Sequence, residues 1–415
     1  MRHRSGPDTI LFGVTMALVT IGVVTVFSAS YPMAAARAAS ASRYNAAAAD
    51  SAQDPRLAAA AVKASTASLQ QTLMHRQLQW ALVGLLALVG TMTMPRTWLT
   101  SERTVQVALA VAGVLLLLAF TRFGSTHGRE ARRWIHVGSF TLQPSEFAKL
   151  ALCLFLAWRL GRVRTNVNDS RHLVPALIVT VVLLALVLLE PHLGGMLVLA
   201  GTAGCVLFAA GVEPRRLALL GLLGAMVVTA SVLLMPYQRL RLIAWLNPAA
   251  YADDIGYQAV HCGTALARGG LAGRGLGRSI EKFLYLPECH TDSILAVLGE
   301  EQGFLGTVTV LALFLTLAWR GLLIAAGCAE PSHRLLATGL TAGIFLQAVL
   351  NFGVTTGLLP QTGVGMPFLT YGGSSLVFCL TSVGVLLNLS RRGPAPAPAG
   401  DPRFRPTAGH PRVTP

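Results

Sequence analysis

The sequence predicts an all-α polytopic membrane protein of about ten transmembrane helices, with a large extracytoplasmic loop between spans seven and eight. Three observations carry that expectation. Of 415 residues, 53% are hydrophobic and 12% charged, the latter about half the share in a soluble globule; mean hydropathy is +0.59. Apolar runs recur at lengths approaching the roughly 20 residues that a helix needs to cross a bilayer. They are unbroken stretches of Leu, Val and Ala rather than alternating patterns, which argues against a membrane β-barrel and for helices.

In order, the runs lie at 9–28, 78–94, 105–120, 147–160, 173–189, 193–210, 217–235, 304–323, 335–354 and 376–389. The opening Met1-Arg2-His3-Arg4, with Ser28-Ala29-Ser30 after the run, also resembles a cleavable signal peptide. Its length and the charge pattern make it a retained first span. Residues 33–68 form an Ala-rich outer insertion of marginal helicity or disorder. One membrane domain occupies 1–392, and the Pro-rich stretch 393–415 reads as a disordered cytoplasmic tail.

Formal net charge is +15, which in a soluble chain suggests nucleic acid. Here a membrane explains it and no nucleic acid is expected, because basic residues gather at span ends. Arg2 and Arg4, Arg96 and Arg103, Arg162, Arg164 and Arg171, Arg215 and Arg216, and Arg391 and Arg392 fall on one side of a ten-span bundle. That places both termini in the cytoplasm. Arg129, Arg132 and Arg133 fall outside, as do Arg239, Arg241, Arg268, Arg274, Arg278 and Lys282. Cations that defy the topology bias are candidates for anion binding.

Four polar clusters interrupt the hydrocarbon. The first runs from Gly128 through Arg132-Arg133-Trp134 to Gln143-Pro144-Ser145-Glu146 and Lys149. Ser145 is a natural N-cap, and Glu146 suits the positive helix end. Glu146 and Lys149, three apart, share a face at the mouth of a span. An interfacial anchor and a site for a phosphorylated amphiphile both fit this cluster. The second, Arg268-Gly269-Gly270 through Gly273-Arg274-Gly275-Leu276-Gly277-Arg278, has no strand before it and is no nucleotide loop. It fits a phosphate-binding nest or a solvated loop.

The third cluster, Leu286-Pro287-Glu288-Cys289-His290-Thr291-Asp292-Ser293, lies in a polar connection at 236–293 and leads into Glu300-Glu301. Asp292 either caps span eight or takes a proton from a sugar hydroxyl. Carboxylates such as Glu300 and Glu301 in an apolar run need partners or water. The fourth runs from Asn351 through Pro360, Thr362-Gly363 and Pro367-Phe368 to Tyr371-Gly372-Gly373-Ser374-Ser375. Such irregular backbone at membrane depth lines a wet cavity or packs inside protein. Cys153, Cys205, Cys328 and Cys379 are packing residues; Cys262 and Cys289 share the outer loop, where a disulfide stays open. Ligands as close in sequence as Cys289, His290 and Asp292 rarely close a zinc tetrahedron.

Taken together, the clusters resemble the SEDS family (shape, elongation, division and sporulation; the RodA, FtsW and SpoVE kind) from residue 9 to residue 392. The motifs occur in family order: Arg132-Arg133-Trp134-Ile135 with Gln143-Pro144-Ser145-Glu146, Tyr285-Leu286-Pro287-Glu288 with His290-Thr291-Asp292, Gly299-Glu300-Glu301, and Leu358-Leu359-Pro360 through Tyr371-Gly372-Gly373-Ser374-Ser375. The resemblance implies a peptidoglycan glycosyltransferase that polymerises lipid II at the outer face of the bacterial cytoplasmic membrane, beside a class B penicillin-binding protein that cross-links the strand. It implies that Asp292 is the catalytic carboxylate. Arg133, Trp134, Glu146 and Lys149 match first-loop positions, and Lys282, Glu300 and Glu301 match other functional or structural positions. Arg129, Arg132 and Arg274 join them as candidate substrate contacts.

Two positions depart from the family pattern. Ser293 stands where Phe usually follows His-Thr-Asp, and His192 stands where many members carry Asp. Subfamily markers conflict, leaving division and elongation both open. No separate Asp-x-Asp metal motif is present, so cationic side chains are the expected stabilisers of a diphosphate, with a divalent cation an open addition. A lipid II flippase is the rival reading, and a catalytically degenerate scaffold the third.

Overall fold

The computed structural model describes residues 6–48, 55–121, 124–125, 134–137, 140–190, 192–284, 286 and 289–391. Arg129, Arg132, Arg133 and the 393–415 tail lie outside the described residues. Helices α1 (Thr9–Ala48) and α2 (Pro55–Thr93) pack together, followed by the short α3 (Arg96–Leu99) and by α4 (Glu102–Ala119). The Ala-rich insertion continues α1 and α2 as helix at 33–48 and 55–68, in keeping with the high helix propensity of Ala. Ser101 caps α4, its hydroxyl accepting from the Thr104 amide at 3.2 Å.

A small antiparallel sheet then crosses the mouth of the bundle: β1 (Gly124–Ser125), β2 (Trp134–Val137) and β3 (Phe140–Leu142). Ile135 in the middle strand pairs with Gly124 on one side and Leu142 on the other. Helices α5 (Pro144–Gly161), α6 (Ser170–Leu189), α7 (Leu193–Ala209) and α8 (Pro214–Leu234) follow. Next come α9 (Pro236–Leu246), a 3-10 turn (Pro248–Tyr251), α10 (Tyr257–Gly269) and α11 (Glu281–Leu284). Helices α12 (Ile294–Gly327), α13 (Pro331–Thr355) and α14 (Gly373–Ser390) complete the chain.

Among the described residues ten helices have 17 residues or more, and each contains or closely matches one of the ten predicted runs. Seven of them, α1, α4, α6, α8, α12, α13 and α14, are long and apolar enough to cross a membrane. The chain is therefore an all-α, multi-pass membrane protein. Its lipid-facing surface is apolar, most plainly on α8, where Ser231 is the buried residue and Leu233 and Leu234 are 70% and 80% exposed. The Asp8 amide donates to the Ser390 hydroxyl at 3.0 Å, so the start of α1 and the end of α14 meet at one end of the bundle. The ten crossings expected from the sequence would have the same consequence.

At the centre, α13 packs against α5, α7 and α12. The predicted eighth span at 304–323 is the second part of α12, whose backbone breaks at Gly303 with φ 69° and ψ −166°. The first part carries Glu300 and Glu301, both buried.

Candidate functional site

A cavity of about 620 Å³ opens where the polar clusters converge. One wall is the start of α5. There Gln143 takes the N-cap position and Pro144 the first helical position, so Ser145 is not the cap but a buried residue of the first turn. Glu146 lies in that turn, favoured by the unpaired amides and helix dipole. Lys149 Nζ sits 2.9 Å from Glu146 Oε1 and also donates to Gln347 Oε1 on α13. Lys149 is the one Lys or Arg among the described residues lining the cavity. Trp134, from β2, lines the same wall.

Opposite stands the segment His290-Thr291-Asp292, all three lining the cavity. Its position is set by three successive main-chain carbonyls. The Tyr371 amide donates to His290 O at 2.9 Å, Thr370 Oγ1 to Thr291 O at 3.2 Å, and Asn351 Nδ2 to Asp292 O at 3.0 Å. Ser293 occupies the N-cap of α12 without a side-chain bond to the helix, and its hydroxyl accepts from Gln258 Nε2 at 2.8 Å. Asp292 thus reaches the cavity one residue ahead of the cap.

The roof is the irregular stretch between α13 and α14, the fourth cluster, which contributes Gly363, Val364, Gly365, Thr370 and Tyr371 to the lining. Two side chains of α13 hold it down: Gln347 Nε2 donates to Gly365 O at 3.0 Å and Asn351 Nδ2 to Val364 O at 2.9 Å. Gln347 and Asn351 are four apart and therefore stack on one helix face. Phe368, with φ 64°, sits in the left-handed region inside this stretch, a strained backbone that surrounding packing has to maintain. Beneath, His192 precedes α7 and lies 3.2 Å from Gln143 Nε2 through its Nε2. Gly195 lets that imidazole in, since a Cβ there would stand 2.2 Å from His192 Cδ2.

Three of the other predicted site residues, Lys282, Glu300 and Glu301, form a separate, buried brace and do not line this cavity. Lys282 Nζ lies 2.6 Å from Glu301 Oε1, and Ser28 of α1 closes the triangle, donating to Glu301 Oε1 at 2.6 Å and accepting from Lys282 at 2.7 Å. Glu300 takes Ser279 Oγ at 2.5 Å, the Ile280 amide at 2.9 Å and the Glu281 amide at 3.2 Å. Glu281 in turn pairs with Arg268 and, at 2.7 Å, with His261 Nδ1. The Lys282 ammonium, inside an ion pair that is 2% and 1% exposed, links α1 to α12 through Ser28 and Glu301.

The glycine-rich loop has a similar role. The Arg274 amide donates to Glu300 O at 3.0 Å and the Gly275 amide to Glu301 O at 2.9 Å. In return Phe304 N donates to Gly270 O at 2.8 Å and Leu305 N to Leu271 O at 3.2 Å. Those amides are used by protein carbonyls, so the loop is a backbone clamp rather than a phosphate nest, and the Arg274 side chain is exposed away from the cavity. The outer cysteines are not bridged: Cys262 and Cys289 are thiols. Burial pushes the Cys262 thiol up to about 11, aided by the Asp292 and Glu281 charges and opposed by the Ser293 hydrogen bond. Among the described residues no group of three His, Cys, Asp or Glu is arranged to hold a metal ion.

The architecture and this motif set have counterparts. The model for the FtsW, RodA and SpoVE group of cell cycle proteins matches residues 57–393. The chain belongs to this family, the SEDS family. Stage V sporulation protein E of Bacillus subtilis is 37% identical over 94% of this chain and 98% of its own length. A probable peptidoglycan glycosyltransferase FtsW of Geobacter metallireducens is 38% identical over 77% of this chain and 85% of its own. Among solved structures, rod shape determining protein RodA of Thermus thermophilus superposes with a TM-score of 0.61 at 28% identity, over 93% of this chain and 97% of that one. A chain from a peptidoglycan synthase complex, described as coordinating polymerization and crosslinking, gives 0.70 at 29% identity over 93% and 98%.

Within this SEDS framework, four sequence-predicted residues come together in the cavity: Trp134, Glu146, Lys149 and Asp292. Sequence reasoning did not single out Gln347 or Thr370, and it named Gln143 only as part of a motif, without a site role. The available signal was polar side chains at helical spacing within an apolar span, Gln347, Asn351 and Thr355, all buried.

Proposed function

We propose that the chain is a peptidoglycan glycosyltransferase that joins lipid-linked disaccharide units, the lipid II chemistry, at the outer face of the bacterial cytoplasmic membrane. The observation that carries this reading is Asp292 held by its own carbonyl at the rim of a cavity whose lining also bears Lys149. A carboxylate facing a wet cavity can act as a general base. In the proposed step, Asp292 takes the proton from the 4-hydroxyl of an acceptor's terminal sugar. The oxygen bonds to the anomeric carbon of the donor, the bond from that carbon to the diphosphate oxygen breaks, and the lipid diphosphate leaves with the electron pair. Lys149 supplies positive charge where negative charge develops. Arg129, Arg132 and Arg133 are proposed as additional counter-charges, and Trp134 as a sugar-stacking face.

The names of the relatives support the transferase reading, and the synthase-complex neighbour supports a transpeptidase partner of the class B penicillin-binding type. The contact between Asp8 and Ser390 supports both termini lying on one side of the membrane, and the basic residues at that side's span ends support its being the cytoplasmic one. The deciding experiment feeds purified full-length protein, with a co-expressed transpeptidase, lipid II and resolves glycan strands on a gel. Strands from the parent and none from Asp292→Asn are expected. Undiminished polymer from Asp292→Asn defeats the assignment, and lipid movement between leaflets without polymer favours a flippase.

A further inference from the structure

A second chamber of about 530 Å³ adjoins the first, and the two share Pro236 and Tyr237 as a common wall. It is bounded by α9, by the start of α10 and by the end of α13 with the chain beyond it. Its chemistry differs from that of an ordinary packing defect. Arg241 lies with its guanidinium carbon 4.4 Å from the centre of the Tyr237 ring and donates from Nη1 to Gln361 O at 2.9 Å and from Nη2 to the Tyr237 hydroxyl. Trp245 is fixed by its indole N–H, 2.8 Å from Gly357 O, and lines the chamber. Gln258, another lining residue, bonds to Ser293, the neighbour of Asp292. A fixed guanidinium against one aromatic ring, with a second aromatic residue lining the same chamber, is suited to a sugar carrying a diphosphate.

Geometry of the reaction says which substrate needs it. A donor reacts at the carbon that bears its diphosphate, so its diphosphate lies beside Asp292 and within the Lys149 chamber. An acceptor reacts through the far sugar of its disaccharide, so its own diphosphate lies a disaccharide's length from Asp292. Two separate cationic stations in adjoining chambers suit such a pair of substrates: Lys149 lines the first chamber and Arg241 the second. Resting on the glycosyltransferase reading above, we infer that the second chamber holds the diphosphate end of the acceptor, a lipid-linked disaccharide diphosphate, with Arg241 as its counter-charge and Trp245 as its stacking face.

Two probes separate the roles. A lipid-linked disaccharide diphosphate capped at its terminal 4-hydroxyl can only donate, and a phosphonate-linked analogue that cannot release its lipid can only accept. Single condensation between them is followed by mass spectrometry with the full-length protein and its transpeptidase. Arg241→Gln should raise the acceptor KM by about tenfold, the loss of one charge-assisted contact, while the donor KM stays within about twofold of the parent. Ala259→Phe, which fills the chamber without touching the guanidinium's own bonds, should act in the same direction and decides the matter if Arg241→Gln does not fold. An unchanged acceptor KM in the folded variants, or an equal rise in both KM values, overturns the inference. Absence of any condensation by the parent protein overturns the polymerase reading instead.

Discussion

The side-chain amide of Asn351 donates to the main-chain carbonyl of Asp292 at 3.0 Å and to that of Val364 at 2.9 Å. One buried nitrogen on α13 thereby ties the loop bearing the proposed base to the loop roofing the cavity. Both segments lack helical or strand hydrogen bonding at these positions, so side chains have to satisfy their carbonyls. Asn351 is 1% exposed, and removing it leaves two carbonyls without that donor.

Asn351→Leu keeps the branched side-chain skeleton, at a somewhat larger volume, and removes both bonds. We expect a loss of stability of about 1–3 kcal/mol and a fall of about 10²-fold in kcat, since displacing a reacting group by about an ångström costs that much. KM should change little. Strand synthesis by a folded Asn351→Leu protein at the parental rate would show that Asp292 is not positioned from α13.

Lys282 and Glu301 are a buried pair, and a buried pair behaves asymmetrically. Lys282→Met leaves Glu301 charged, with Ser28 as its remaining side-chain partner, and should cost about 3–5 kcal/mol. The double variant Lys282→Met with Glu301→Leu should recover most of that. Thermal unfolding of the three proteins in detergent measures the coupling, and additive losses would mean that the pair contributes independently of its contact.

Gly303 breaks α12 in a region of φ and ψ open essentially to glycine, and a Cβ there would stand 2.3 Å from Gly273 N. Gly303→Ala should therefore cost about 1–3 kcal/mol from strain alone and loosen the clamp between 269–275 and 299–305. Gly221→Ala on α8, where nothing lies within 4 Å, should be neutral or slightly stabilising. The melting midpoints of the two variants separate conformational strain from a general intolerance of substitution.

The Cys262 thiol, raised from 9.0 to about 11, gives a pH dependence with a defined sign. Below pH 9 both folded and unfolded states hold the proton and the contribution is complete. Between about 9 and 11 the unfolded chain loses its proton first, so stability falls as pH rises. Alkylation of Cys262 at pH 8 should be slow in the native protein and fast in denaturant. A single thiol reacting rapidly in the native state and mapping to Cys262 would contradict its burial.

Some of this was legible in the chain and some was not. The ten helices were, because an apolar run of span length has few other fates. The convergence of Trp134, Glu146, Lys149 and Asp292 was foreshadowed by polar clusters in hydrocarbon surroundings. Its negative side is equally physical. Lys282 carries the same charge as Lys149, and a sequence cannot reveal that Glu301 and Ser28, which lies 254 positions away, enclose it. Gln347 escaped notice because one amide in an apolar helix has no motif, and its worth depends on Lys149 and Gly365 arriving from elsewhere. The helices of the 236–293 connection were hidden behind glycine and charge, and the 299–305 clamp depends on backbone bonds that leave no compositional trace.

Lys149 is the clearest test of how the cavity handles charge. Its ammonium is oriented by Glu146 at 2.9 Å and by the Gln347 side-chain oxygen, and both partners are substantially buried. In the proposed reaction a cation so held needs no reorganisation as the diphosphate begins to leave, which is where electrostatic stabilisation is most effective. Lys149→Met should lower strand synthesis by about 10²–10³-fold. Gln347→Leu, which removes one of the two restraints and the bond to Gly365, should have a smaller effect in the same direction. Lys149→Arg tests the geometry, because a planar fork cannot reproduce a point charge at that spot, and it should rescue little. Parental rates in Lys149→Met would place the counter-charge for the leaving group elsewhere, with Arg129, Arg132 and Arg133 the next residues to substitute.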